Sequence, residues 1–460
     1  MIQKFTHGVI RFRWLIILLT LAMVAATGSG GRFLEFSGSY RDFFSSQNPQ
    51  LKAFDELQNI YSKNDNVLFV IAPKDGNVFT RETLSAVQWL TKESWQIPYS
   101  RRVDSISNFQ HTQAEGDNLA VRDLVEDPAA LTDAELEKIQ QIAVAEPLLL
   151  NRLISPRAHV TAVNVTVVLP EKSLAEVPEV VEFSRNLIVQ AKERFPGIDI
   201  HLTGMVPFNN AFGEYSQKDM ATLVPLMYAV ILVICLLALR SFTGTVATLL
   251  VILFSVITAM GLMGWLGLKL TGPSAVAPTI ILTVAVADSI HILSNMLTFM
   301  REGMNKNDAI TESLRMNMNP VFLTSITTVF GFLTMNFSEV PPFRDLGNVT
   351  SIGVLAAWAY SIVFLPALMS VLPVRVQPMR TMTSRSMEML GNFVVSRHRP
   401  LFWGTVALAL GLVAFIPRNE LNDDFVKYFD KSVDFRNATD FMVENLSGVN
   451  QIHYSLGAGE

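Results

Sequence analysis

The chain has 460 residues, half of them apolar and only 17% charged, with 36 Lys and Arg against 41 Asp and Glu for a formal net charge of −5. Apolar content of that order, gathered into blocks, excludes an ordinary soluble protein, and the small acidic balance argues against a nucleic-acid partner. The single cysteine, Cys235, lies inside an apolar block, so no internal disulfide is expected and a packing or lipid-facing role is.

A helix needs about 20 mostly apolar residues to cross the hydrocarbon core. Taken along the chain, the first block is Trp14 to Ala26, shorter than that and preceded by Lys4, Arg11 and Arg13. With Val24-Ala25-Ala26-Thr27-Gly28 behind it, it also fits a secretory signal with a cleavage site. An internal repeat favours an uncleaved span. Arg13-Trp14-Leu15 is echoed by Arg399-Pro400-Leu401, and Asp42-Phe43-Phe44 before the helical stretch Leu51 to Asn59 by Asp424-Phe425 and Tyr428-Phe429 before Phe435 to Asn445. Asn66-Val67-Leu68-Phe69-Val70 is echoed in turn by Gln451-Ile452-His453-Tyr454-Ser455. The second copy sits mid-chain, where no signal peptide belongs.

Residues 32–219 read as an α/β domain of ordinary size. Strands are expected at Val67 to Ala72, Val160 to Leu169 and Ile198 to Leu202. Helices are expected at Thr80 to Trp95 after a Thr cap, at Leu131 to Leu153 with Pro147 kinking or ending it, and at Val177 to Phe195, stopped by Pro196-Gly197. No Gly-rich phosphate loop accompanies these units. The acidic run Asp123 to Asp127 reads as a solvated face, and His111, His159 and His201 are isolated, so packing or surface roles outweigh metal ligation. No cofactor is expected.

Five further blocks follow: Ala221 to Leu239, Val246 to Leu268, Val276 to Met300, Val321 to Phe337 and Val349 to Leu372. With the shorter Leu401 to Ile416, the count is seven spans. Arg301 to Met318, with Met304, Ala309, Ile310, Leu314 and Met318 among charges, reads either as an amphipathic surface helix or as a polar connector. The domain plan is thus 1–31 for the N-terminus and first span, 32–219, 220–372 for spans two to six, 373–399 as a linker, 400–417, and 418–460 as the start of a second outside domain. Lys and Arg segregate to alternate connections: Lys4, Arg11 and Arg13; Arg240; Arg301, Lys306 and Arg315; and Arg375, Arg380, Arg385, Arg397 and Arg399. The opposite short connections carry only Lys269 and Arg344. By the positive-inside rule the N-terminus is then cytoplasmic and the α/β domain outside.

The chemistry concentrates in one helix. Asp288 lies among Ile, Leu, Val and Ala, with His291 three and Asn295 seven residues on, spacings that put all three on one helical face. An acidic group near the bilayer centre costs roughly 2.5–3.5 kcal/mol, and such groups mark proton or ion relays. A buried Asp–His hydrogen bond that orients two helices is the structural alternative. Ser289, Ser325, Thr327, Thr328, Ser351 and Tyr360 are candidate polar partners, although Ser and Thr inside spans commonly bond to their own helix. Gly272-Pro273-Ser274 and Pro278 read as the entry to the Asp288 helix.

One span, a large outside domain, five spans, then a span and the start of a second outside domain resembles the resistance–nodulation–division superfamily. Within it the chain is most similar to the branch of mycobacterial large membrane proteins, hopanoid transporters and Patched. Val284-Ala285-Val286-Ala287-Asp288-Ser289-Ile290-His291-Ile292-Leu293 stands where that branch has its fourth-span aspartate. The resemblance implies a polytopic helical protein of the bacterial inner membrane, with a periplasmic α/β domain and spans two to six matching a sterol-sensing domain. It further implies a proton-driven exporter of lipid-like molecules, whose partners are membrane lipids, a hydrophobic substrate, protons, and a second copy or accessory periplasmic proteins. Two departures stand out. Ala285 and Ala287 replace the usual glycine before the aspartate, and Ser289 replaces a frequent tyrosine, with His291 as a possible substitute partner. The family is built from two repeats and this chain ends early in the second, so a fragment or a separate second half is expected. The competing functions are a lipid sensor and a protein-export accessory factor. An enzyme is disfavoured, as no nucleophile–base or metal constellation appears outside the membrane.

Overall fold

The computed structural model describes all residues except 1, 38, 62–64, 116–117, 171, 174, 377–380, 421–423 and 449–460. Helix α1 (Ile2–Arg11) runs into α2 (Arg13–Gly28), which continues as a short 3-10 turn to Phe33. A turn at Tyr40–Phe43 precedes α3 (Pro49–Ile60). The α/β domain then runs β1 (Asn66–Pro73), α4 (Arg81–Glu93), β2 (Ser100–Asp104), β3 (Gln110–Glu115), β4 (Asn118–Asp123), α5 (Asp133–Ala145), β5 (Thr161–Val167), α6 (Glu176–Arg194) and β6 (Ile198–Thr203).

Four strands form one sheet in the order β2-β5-β1-β6 with every pair antiparallel, and β3 and β4 make a separate hairpin. Strand β1 is central, and its apolar run follows from burial on both faces. Because side chains alternate at period two, Val67, Phe69 and Ile71 enter the core under α4 and α6, while Leu68 and Val70 enter a second cluster on the opposite face. The helices start where the sequence predicts, whereas α5 stops at Ala145, short of the expected Leu153. Thr80 caps α4 by accepting from the Thr83 N–H, Thr132 and Glu135 close a capping box on α5, and α5 ends two residues before Pro147. Strands β2, β3 and β4 escape sequence reading because they are short and largely polar, with none of the continuous apolar run that marks β1.

Gly204, with φ +114°, makes the turn from β6 into α7 (Met205–Leu239); a side chain there would run into the Asn66 carbonyl oxygen. Helix α7 is 35 residues long and continues without a break from the base of the domain into the bundle. After it come α8 (Phe242–Trp265), α9 (Ala277–Arg301), α10 (Lys306–Leu333) and α11 (Pro341–Ala359), then a π-helical turn at Tyr360–Phe364 that passes into α12 (Leu365–Val371). Helices α8 to α11 pack on one another around a shared apolar core. Pro278 lies in the first turn of α9, which agrees with a helix entry. Segment 301–318 is no separate surface helix. Its second half is the start of α10, and Ala309, Ile310 and Leu314 face the bundle core, so its amphipathic pattern reflects burial against protein.

Helix α13 (Thr381–Ser396) occupies the region expected to be a linker, and α14 (His398–Val413), a turn at Phe425–Tyr428 and α15 (Asp434–Asn445) complete the described chain. The expected third element of the repeat, 451–455, lies outside the described residues. Among the described residues, seven helices are long and apolar enough to cross a membrane, one for each expected block. At the end of the bundle that carries Arg13, basic side chains close helix C-termini: Arg301 Nη2 donates to the Leu239 carbonyl at 3.0 Å, and Lys306 Nζ to that of Leu372 at 3.0 Å. Cations there complement the negative ends of the helix dipoles.

Candidate functional site

Helix α9 presents a buried stripe and an exposed one. Ala285, Asp288, Ser289, Ile292, Leu293 and Met296 are buried, whereas Thr283, Ala287 and His291, four residues apart, are exposed. Asp288 is 3% exposed, the one acidic side chain buried within a candidate span among the described residues. Its Oδ2 accepts from the Ser325 hydroxyl of α10 at 3.2 Å. A carboxylate has about four lone-pair sites, so one hydroxyl satisfies little of it.

The expected pairing of Asp288 with His291 does not form: His291 lies on the exposed stripe and no hydrogen bond joins the two. Three residues advance a helix by about 300°, leaving His291 some 60° off the aspartate's direction. The packed face is narrow enough for that offset to carry the imidazole out of it. Asn295 is half-buried at the edge of the same face.

The other candidates divide by where their hydroxyls turn. Tyr360 is buried at the π-helical turn, and its OH lies 2.7 Å from Thr258 Oγ1 on α8. Thr328 bonds back to the Thr324 carbonyl at 2.7 Å and Thr327 to that of Leu323 at 2.8 Å, both within their own helix, whereas Ser351 bonds to the Gly347 carbonyl of its own helix at 2.7 Å and reaches the Val329 carbonyl of α10 at 3.3 Å. Ser289 is fully buried beside Asp288, and its hydroxyl has no partner. The Thr350 and Ser361 hydroxyls and the Trp358 indole N–H are likewise buried without one, all three from α11 and its continuation.

Sequence reasoning missed Thr258, Thr350 and Ser361, which lie inside apolar blocks with no charged neighbour to draw attention. It also missed the use made of two histidines in the α/β domain. The His201 ring stacks on Phe441 of α15, centroids 4.5 Å apart, and His159 bridges Ser155 and Asn445. The bridge fixes its own hydrogen placement. Ser155 Oγ already accepts the N–H groups of His159 and Val160, so its hydroxyl donates to His159 Nδ1 at 2.9 Å. Asn445 uses its amide nitrogen on the Phe441 carbonyl, so His159 Nε2 donates to Asn445 Oδ1 at 2.8 Å. Among the described residues, no three His, Cys, Asp or Glu side chains gather as a metal site.

Seven candidate spans among the described residues, with an α/β domain inserted after the first and a buried carboxylate in the fourth, define a polytopic membrane protein. The MMPL family pattern matches residues 43–401, and the chain belongs to that family, a branch of the resistance–nodulation–division superfamily. It is similar to the membrane protein MJ1562 of Methanocaldococcus jannaschii, 26% identical over 40% of this chain and 47% of that one. It is also similar to two Mycobacterium tuberculosis proteins, the protein named probable transport protein MmpL1 (23% identical, 49% of this chain and 24% of the relative) and the siderophore exporter MmpL5 (22%, 50% and 25%). The matched region spans between a quarter and a half of the length of these relatives.

Proposed function

We propose that this chain works in the bacterial inner membrane as part of a proton-driven exporter of lipid-like or other hydrophobic molecules, with Asp288 carrying the proton. The buried carboxylate bonded to Ser325 is the observation on which the reading rests. An acidic group is retained inside an apolar bundle at a cost of roughly 2.5–3.5 kcal/mol, which suits a group that must gain and lose a proton. Four buried polar atoms without partners, from Ser289, Thr350, Trp358 and Ser361, lie in the same bundle and supply polar surface to a proton path. Helix α7 offers the coupling element, since one continuous helix joins β6 to the bundle and movement at either end is felt at the other. In this reading the N-terminus is cytoplasmic and the α/β domain periplasmic, which the segregation of Lys and Arg supports.

The test is Asp288→Asn in the complete protein, which removes the titratable proton while keeping size. Export should be abolished with unchanged membrane abundance, and Ser325→Ala should keep export but shift its pH dependence. Normal export by Asp288→Asn at every pH removes the proton-carrying role, and a reporter fused after Asp127 that reads cytoplasmic overturns the orientation.

A further inference from the structure

Helix α1 carries a feature that transport through Asp288 does not use. Lys4, His7 and Arg11 recur at spacings of three and four residues, which aligns them on one side of the helix. With Gln3, Gly8 and Phe12 they line a shallow, open groove between side chains of α1 itself. His7 Nδ1 donates to the Gln3 carbonyl at 2.7 Å, which fixes the ring against the helix and leaves Nε2 as an acceptor. Other side chains of α1 are committed to the protein: Thr6 and Val9 are buried, and Ile10 packs against the bundle core. The basic side chains are therefore held in place by a docked helix rather than carried on a loose tail.

The charge around the groove is of one sign. No Asp or Glu occurs before Glu35, and the described ion pairs involve none of Lys4, Arg11 and Arg13. Arg13 adds to the excess, lying near enough to Lys306 for the two charges to repel. The groove also adjoins the start of the first candidate span. Phe12 alone separates α1 from the first span, and the aromatic side chains Phe12 and Trp14 at that junction are 54% and 61% exposed. Aromatic rings of this kind settle at the headgroup level of a bilayer.

A cationic groove with no internal counter-charge, beside the first candidate span, fits a phosphate that the membrane itself provides. We infer that Lys4 and Arg11, on either side of His7, bind the phosphate headgroup of an anionic phospholipid, which holds α1 at the membrane surface against α10 and α12. Each basic side chain near an anionic surface contributes about 1 kcal/mol, equivalent to about fivefold in affinity.

The experiment is a titration of the purified full chain with phosphatidylglycerol or phosphatidylcholine, bound lipid being read by native mass spectrometry. Phosphatidylglycerol should bind in preference, and Lys4→Gln with Arg11→Gln should weaken it by about 30-fold. The charge-conserving pair Lys4→Arg and Arg11→Lys should retain binding. Gly8→Asp guards against misfolding: a Cβ at Gly8 meets nothing within 4 Å, so the helix accepts the side chain while its carboxylate repels the headgroup. Equal binding of the two lipids overturns the inference, as does full binding by Gly8→Asp. An equal loss from Arg397→Gln with Arg399→Gln would show bulk charge rather than a site. Displacement of the lipid by inorganic phosphate would assign the groove to a soluble anion.

Discussion

The two copies of the internal repeat have the same local structure and opposite fates. Their elements begin 385 residues apart (Arg13 and His398, Tyr40 and Phe425, Pro49 and Asp434): a span, a 3-10 turn and a twelve-residue helix in each. In the first copy the span α2 packs on α8, where Gly28 and Gly30 meet Gly261 and Gly264 so closely that a Cβ at Gly30, Gly261 or Gly264 would collide with backbone. In the second copy the span α14 buries nothing among the described residues. The short helices reverse this order. Helix α3 buries only Gln58, whereas α15 buries Phe435, Arg436, Ala438, Thr439 and Met442. It lies across the face of the sheet opposite α4 and α6, bonded through Thr203 and Thr439 (2.7 Å) and flanked by an aromatic cluster of Phe208, Phe212, Phe429 and Phe435. Phe43 of one copy touches Phe425 of the other, ring centroids 5.8 Å apart. Local pattern sets the element; the surface available to it sets whether it is buried.

The sharpest way to break this contrast is at the glycines. Gly264→Val would drive a branched side chain into the Gly30 carbonyl oxygen, costing about 3 kcal/mol and most of the protein in the membrane. Gly404→Val in α14 meets open space and should leave abundance unchanged. Membrane levels and thermal unfolding in detergent measure both; equal tolerance would mean that α2 does not pack as described.

A smaller effect is expected at the paired helices. Met442→Ala removes a side chain 8% exposed and should destabilise the docking of α15 by about 2–3 kcal/mol, read as faster amide exchange along 434–445. Ile60→Ala at the end of α3, 72% exposed, should change stability by no more than about 0.5 kcal/mol. If the two changes cost the same, the asymmetry between the copies is wrong.

The smallest effect is a pH dependence. Burial under α15 holds His201 below its ordinary value of 6.5; Asp199 pulls it back up and Lys192 pushes it further down. The folded state therefore binds this proton less readily than the unfolded one. Its contribution is intact above pH 6.5 and is lost progressively as pH falls from there towards the depressed folded value. Exchange protection of α15 should decline modestly across that window, and His201→Phe, which keeps a ring against Phe441, should flatten the decline. An unchanged slope would remove His201 as its source.

Much of this protein was legible in its residues. The seven blocks became seven helices because length and apolar content are local quantities, and Thr80, Thr132 and Pro147 set helix boundaries through their own side chains. Asp288 was visible for the same reason, since a carboxylate inside an apolar run is costly wherever the helix points. What the sequence left open depends on direction and neighbours. His291 falls outside the packed stripe by about 60°, and Ser325 rather than Thr328 meets Asp288 because only one of two hydroxyls three residues apart faces α9. The second buried face of β1 exists because α15 begins 231 positions beyond the end of β6 (Asp434 against Thr203), bringing Met442 and Leu446 to Leu68 and Val70. Periodicity reports that a face is apolar; which surface covers it is decided by contacts between residues far apart in the chain, and these exist only once the fold is assembled.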